Sequence, residues 1–92
     1  MANGTMIFTT VREGQTSEVT GVQMRFVSGA NKWESRMLSP SEFVELMLHS
    51  EVFPPPKAES LVQRVREQGQ ITEENVAITH ELMHFLGLHL AK

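Results

Sequence analysis

The sequence contains no cysteine and no aspartate. Without cysteine, the chain can form neither a disulfide nor a thiolate metal site. All its acidic residues are glutamate, which excludes sites that need aspartate, such as EF-hand loops and Asp-paired catalytic triads. A glycine-rich phosphate-binding loop is missing as well. These absences exclude many of the common enzyme and metal sites.

Long apolar stretches and strong net charge are also missing. No apolar run approaches the ~20 residues that a membrane-spanning helix needs, and the N-terminal residues lack the basic and apolar segments of a signal peptide. The formal net charge is −3, which gives no electrostatic reason for binding nucleic acid. We therefore expect a cytoplasmic protein that binds neither membranes nor nucleic acid.

The composition is that of one small folded domain over residues 1–92. Of these residues 40% are hydrophobic and 21% charged, which is typical of a soluble chain with a single core. Residues 5–38 contain three runs rich in β-branched and aromatic residues, separated by turn residues: Thr5–Val11, Glu18–Val27 and Lys32–Leu38. They predict a three-stranded antiparallel meander.

The hydrophobic pattern changes from strand to helix at Ser39. Ser39 and Glu42 have the spacing of a capping box, and Pro40 occupies the first helical position. This predicts a first helix over about 40–50, with His49 near its C-terminal end, where a cation interacts well with the helix dipole.

Two further helices are predicted after the three prolines at 54–56, which favour a stiff extended corner. Apolar residues at helical spacing predict the second helix over 57–68, ended by Gly69. Thr72 as an N-cap predicts the third over 72–86, which would stop near Gly87. The fold class is therefore α+β, with three helices packed on one face of the meander.

The predicted last helix carries the motif HELMH, from His80 to His84. Histidines four residues apart lie on one helical face and can bind one zinc ion. Glu81 is placed to take a proton from a metal-bound water. The segment HELMHFLGLH resembles the zinc-binding helix of the metzincin family. This resemblance implies that His80 and His84 are zinc ligands, that Glu81 is the general base, and that the helix breaks at Gly87.

The same segment also has the pattern of an ordinary amphipathic helix. The third histidine of the metzincin pattern would fall on Leu90, and His89 lies one residue too early; His49 is the other histidine that could substitute. The polar residues form one stripe opposite a broad apolar side. We therefore expect a water-facing stripe and no cofactor. Zinc would be required only if the chain were a zinc-dependent hydrolase.

Five other large side chains are candidates for the core or for a binding surface. We expect the methionines at 24, 37, 47 and 83 to lie in the core, although methionine-rich surfaces can also bind partners. Trp33 is expected either to pack in the core or to anchor a partner.

The sequence favours binding over chemistry. We expect a small intracellular, non-enzymatic regulator or inhibitor that binds a partner protein, a kind of chain common among phage and mobile-element accessory proteins. The alternatives are a minimal zinc-dependent hydrolase using HELMH and a structural subunit that self-associates through the meander's edge. Free strand edges and the small size also predict a homodimer.

Overall fold

The computed structural model describes residues 3–12, 19–49 and 52–91. Within them the fold is α+β, as predicted, but the sheet has five strands instead of three. The elements are, in chain order, β1 (Asn3–Arg12), β2 (Val19–Ser28), β3 (Asn31–Ser35), α1 (Pro40–His49), α2 (Pro55–Gln68), β4 (Gln70–Ala77), α3 (His80–His89) and β5 (Leu90–Ala91). The sheet is antiparallel, in the order β4-β1-β2-β3-β5. No helix among the described residues is long and apolar enough to cross a membrane.

Alternate side chains of the two central strands form the floor of the core. Met6 and Phe8 on β1, and Val22, Met24 and Phe26 on β2, are at most 1% exposed. The helices contribute to the same cluster the side chains of Phe43, Met47, Ala58, Leu61, Val65, Leu82, Phe85 and Leu86. The period-2 pattern of the strands and the 3.6-residue pattern of the helices therefore meet in one core.

Close packing requires a glycine near the start of β1. Gly4 is buried, and a Cβ atom there would overlap the ring of Phe26 and lie 2.8 Å from the carbonyl oxygen of Val27. Phe26 is itself fully buried, so its ring has little room to move. Only glycine allows the ring to pack directly against this part of the backbone.

The switch from strand to helix at Ser39 is confirmed. The Oγ atom of Ser39 accepts a hydrogen bond from the backbone N–H of Glu42 (3.2 Å), and the Oε1 atom of Glu42 accepts one from the N–H of Ser39 (3.1 Å). These are the two reciprocal bonds of a capping box. The helix begins at Pro40 and ends at His49; residue 50, the predicted end, lies outside the described residues.

The prediction of an extended corner at all three prolines was wrong. Pro54 is extended, with ψ 148°, but Pro55 and Pro56 form the first turn of α2. Proline is tolerated there because the first N–H groups of a helix have no intrahelical acceptor. The predicted end is confirmed: Gly69 has φ 86° and donates its N–H to the carbonyl oxygen of Val65.

The prediction of a third helix starting at Thr72 was also wrong. Residues 70–77 form strand β4, which pairs with the outer edge of β1. Ile71 is buried opposite Phe8, and Glu73 lies near two cations of α2, with Oε1 2.5 Å from the Nζ atom of Lys57 and Oε2 3.7 Å from Arg64 Nη1. Tertiary contacts thus outweigh the local preference for a helix.

A bulge hid this strand in the sequence pattern. Ile71 and Val76 are both buried, although their separation of five residues would place them on opposite faces of a regular strand. The register shifts between Gly4 and Met6 of the neighbouring strand, and Asn75 adopts φ 57°. The extra residue reverses the alternation, so that Val76 also faces the core. Asparagine suits this position because it tolerates the left-handed region.

The last helix begins and ends later than predicted. Its N-cap is Thr79, whose Oγ1 atom accepts a hydrogen bond from the N–H of Leu82 at 3.1 Å. The helix passes through Gly87 without a break and continues to His89. Leu90 and Ala91 then form β5, which pairs with β3.

The predicted core methionines divide into two pairs. Met24 and Met47 are buried, as predicted, whereas Met37 and Met83 are 48% and 46% exposed. The prediction for Met83 was wrong because the helix is shorter than predicted and fewer of its side chains face the core. Trp33 is half-buried and packs against the core, with its ring centroid 5.6 Å from that of Phe26.

Candidate functional site

The HELMH motif lies on the exposed side of α3. Its histidines, His80 and His84, and the intervening Glu81 are all exposed, whereas Leu82 points into the core. The two histidines are one helical turn apart, as the motif requires. The structure therefore brings them to one face of the helix, on a surface open to solvent.

The remaining histidines lie elsewhere. His89 is nine residues after His80, which places it about 180° around the helix, and its ring lies 5.1 Å from that of Phe85. His49, the last residue of α1, lines a shallow cleft together with His89. The Leu90 position of the metzincin pattern belongs to β5. Across 3–12, 19–49 and 52–91, no group of three or more histidine or glutamate side chains is arranged to hold a metal ion.

The cleft that contains His49 and His89 is bordered by an ion pair. Arg36 and Glu42 form a salt bridge there, with Arg36 Nη2 2.5 Å from Glu42 Oε2. The hydrogen bond from Arg36, together with the N–H of Ser39, lowers the pKa of Glu42 to about 2. Glu42 is thus fully ionised near neutral pH, and cannot serve there as a general acid.

The other face of the sheet carries apolar side chains outside the core. We call it the outward face, formed by the side chains of β1, β2 and β3 that alternate with the buried ones. Ile7 and Val27 are half-buried there and do not belong to the core cluster. Because Ile7 is opposite Arg25, and Val27 opposite Thr5, the two apolar side chains are diagonal neighbours.

Apolar surface extends along the outward face toward the end of β1. Val11 is opposite Gly21 and is 42% exposed. Met37 lies over the same glycine, since a Cβ atom at Gly21 would be 2.9 Å from its Sδ atom. Val11 and Met37 thus form a second apolar area on this face. The pair Thr9 and Gln23 lies between this area and the pair Ile7 and Val27.

Charged side chains border the apolar pair on the side of β3. Lys32 is opposite Val27, and Glu34 is opposite Arg25. The Nζ atom of Lys32 lies 3.0 Å from Glu34 Oε1, and the Nε atom of Arg25 lies 3.1 Å from the same oxygen but forms no hydrogen bond. The hydrogen bond and charge of Lys32 lower the pKa of Glu34. One anion between two cations leaves this border with a net positive charge.

The sequence indicated the outward face only in part. In β2 the buried Val22, Met24 and Phe26 alternate with Gln23 and Arg25, which is the pattern of a strand with one core side and one water-facing side. The apolar residues Ile7 and Val27 fall on the water-facing side, next to buried residues at 6, 8 and 26. Each is an apolar residue at a position where the alternation predicts a polar one. Such a residue is hard to recognise when it stands within a continuous run of apolar residues.

No family model, curated protein or solved structure matches this chain significantly. Function must therefore be inferred from the surface itself. The described residues present two contrasting features: exposed histidines without a third ligand nearby, and an uncovered sheet face with apolar side chains.

Proposed function

We propose that this chain is a small non-enzymatic regulator or inhibitor that binds a partner protein through the outward face of its sheet. The observation that carries this proposal is the pair Ile7 and Val27, which lie outside the core, together with the exposed Val11 and Met37. Apolar side chains that face water in a group are typical of interaction sites. A partner that covers them would gain the hydrophobic free energy that the fold leaves unused.

The charges beside the apolar pair specify the partner's chemistry. Arg25 and Lys32 outnumber Glu34 on this face, so a complementary surface is flat, apolar at its centre and acidic at one side. The three strands of the outward face give a surface about 14 Å wide and about 27 Å long from the usual strand spacing and rise. It offers roughly 400 Å² per partner, which suits a reversible regulatory contact better than a permanent assembly.

The outward face does not suit a nucleic acid. Single-stranded nucleic acids are bound by aromatic rings on which bases stack. On the described strands the aromatic residues belong to the core side: Phe8 and Phe26 are buried, and Trp33 packs against Phe26. The absence of outward aromatic rings on these strands supports a protein partner. We propose that the two proteins meet in the cytoplasm.

Self-association through strand edges is less well supported than binding to another protein. The edges of the meander are covered, by β4 along β1 and by β5 at the end of β3. Along β4 a bulge at Asn75 interrupts the new edge, and bulges hinder pairing between edges. A homodimer stays a prediction, which light scattering over the micromolar range tests directly.

The test compares two apolar-to-acidic variants on opposite sides of the molecule. The partner is first captured from the native host and identified by mass spectrometry, and its affinity for the purified chain is then measured. Ile7→Asp should weaken binding at least tenfold, because it replaces an apolar contact with a carboxylate that must lose its water when the partner binds. Leu88→Asp, at an exposed position of α3, is the matched control and should bind as the unchanged chain does.

Two results would contradict the proposal. One is equal affinity of both variants, which would remove the outward face from the interface. The other is a captured partner that is turned over by the chain, with loss of turnover in Glu81→Gln, which would favour the zinc-dependent hydrolase.

A further inference from the structure

A separate feature lies on the helical side of the sheet, away from the outward face. Between α1, the end of α2 and the start of β2 there is a cleft of about 360 Å³. Its volume falls within the range of small-molecule sites, roughly 300–1,000 Å³. Except for one cation, the described residues that line it are all apolar.

The floor and walls of this cleft consist of apolar side chains. Val22, Phe43 and Val65 form the floor, where they are at most 2% exposed as part of the core. Val19 and Val44 form half-buried walls. An aliphatic chain that enters would displace water from apolar surface without burying a polar group of the lining.

The one charged residue of the described lining is Arg66, in the last turn of α2. Its guanidinium group forms no ion pair or hydrogen bond with the described residues, whereas five other cations pair with glutamates: Arg25, Lys32, Arg36, Lys57 and Arg64. The backbone carbonyl oxygen of Arg66 accepts a hydrogen bond from the Nη2 atom of Arg12 at 3.0 Å. The cleft therefore combines an apolar interior with a cation whose charge is not neutralised by the described residues.

We propose that this cleft binds a small organic carboxylate with an aliphatic chain. The chain would lie on Val22, Phe43 and Val65, and the carboxylate would accept hydrogen bonds from the guanidinium of Arg66. Arginine and carboxylate groups form charge-assisted, often bidentate hydrogen bonds. Such a ligand satisfies both features of the cleft at once, whereas a neutral apolar molecule leaves Arg66 without a partner.

Octanoate is a suitable probe. The controls are 1-octanol, which has the aliphatic chain without the carboxylate, and acetate, which has the carboxylate without the long chain. The isotope-labelled protein is titrated with each compound, and the methyl signals of Val19 and Val44 and the side-chain Nε–H of Arg66 are followed by NMR. We expect octanoate to shift all three signals with one common dissociation constant. Octanol should shift only the methyl signals and bind about tenfold more weakly, and acetate should have no effect at the same concentrations.

Two arginines of α2 provide matched variants. Arg66→Gln should weaken octanoate binding about tenfold, the usual size of one charge-assisted hydrogen bond at an accessible site, and leave octanol binding unchanged. Arg64→Gln is the control, because Arg64 faces Glu73 instead of the cleft. Val44→Phe, which narrows the cleft, should weaken octanoate and octanol alike. Ile7→Asp should change neither, so this test does not depend on the outward face.

Several outcomes would overturn the proposal. They are the absence of shifts in the cleft at millimolar octanoate, equal binding by the Arg66→Gln and Arg64→Gln variants, and equal affinity for octanoate and octanol. Binding of an acidic tetrapeptide of two leucines and two glutamates, without binding of octanoate, would also overturn it and assign the cleft to a protein segment.

Discussion

The capping box at the start of α1 offers a quantitative test of the fold. Replacing Ser39 with alanine removes the oxygen that accepts a hydrogen bond from the N–H of Glu42. That N–H is among the first four of the helix, which have no intrahelical acceptor. The bond in the other direction, from the N–H of Ser39 to the Glu42 carboxylate, remains possible in the variant.

The expected loss of stability is about 1 kcal/mol. Substituting alanine for an N-cap serine usually costs about 0.5–2 kcal/mol, and at this partly exposed site water can replace part of the lost bond. For a domain of this length, 1 kcal/mol corresponds to a decrease of about 4–8 °C in the melting temperature. The buried Phe43 lies in the first turns of the same helix, so fraying there should also expose part of the core.

Urea unfolding followed by circular dichroism gives the required free energies. Ser41→Ala is the matched control, since Ser41 is an exposed serine of the same helical turn and makes no capping bond in the described structure. The control should change stability by less than about 0.5 kcal/mol. If Ser39→Ala costs no more than Ser41→Ala, the capping box does not stabilise the helix start and the reasoning fails.

The remaining predictions also concern stability. Gly4→Ala should cost about 1–3 kcal/mol through overpacking. Gly87→Ala should stabilise the chain by up to about 1 kcal/mol, because Gly87 is exposed and a Cβ atom there would meet no atom outside its own helix within 4 Å. A variant that unfolds at the same urea concentration as the unchanged chain would contradict the prediction made for it. Glu73→Gln should lower stability by about 1 kcal/mol, because it removes the anion that faces two cations of α2; an unchanged midpoint would count against this link. The pKa of Glu42 is lowered from 4.5 to about 2, so its stabilising effect is complete above pH 4.5 and is lost as the pH falls toward 2; Glu42→Gln should flatten that part of the acid unfolding curve. The double change of His80 and His84 to alanine should alter stability by no more than about 0.5 kcal/mol, and the unchanged chain should melt identically with and without EDTA; a chelator that lowers the melting temperature would show a structural metal.

Local signals in the sequence were sufficient to predict several elements of the fold. The strand-forming runs of β1 and β2, the capping box at Ser39 and the glycine after α2 are each determined by residues a few positions apart, and each was predicted correctly. The strand at 70–77 was not, because its pairing with β1 joins residues more than sixty positions apart. The bulge at Asn75 removed the one local pattern that could have revealed it.

The same distinction applies to the HELMH segment. Spacing along one helix accurately places His80 and His84 side by side, because helical geometry alone determines it. A metal site also needs a third ligand and a shielded position, and these depend on which distant elements pack nearby. In this fold the apolar side of α3 is used by the core, and His89 lies on a different side of the helix from the motif. The outward face is assembled from β1, β2 and β3, which pair as the predicted meander, but the sequence did not indicate that Ile7 and Val27 would lie outside the core. A two-ligand motif with no third ligand among the described residues therefore gives weak support for a metal site, and the proposed function rests instead on Ile7 and Val27 on the outward face.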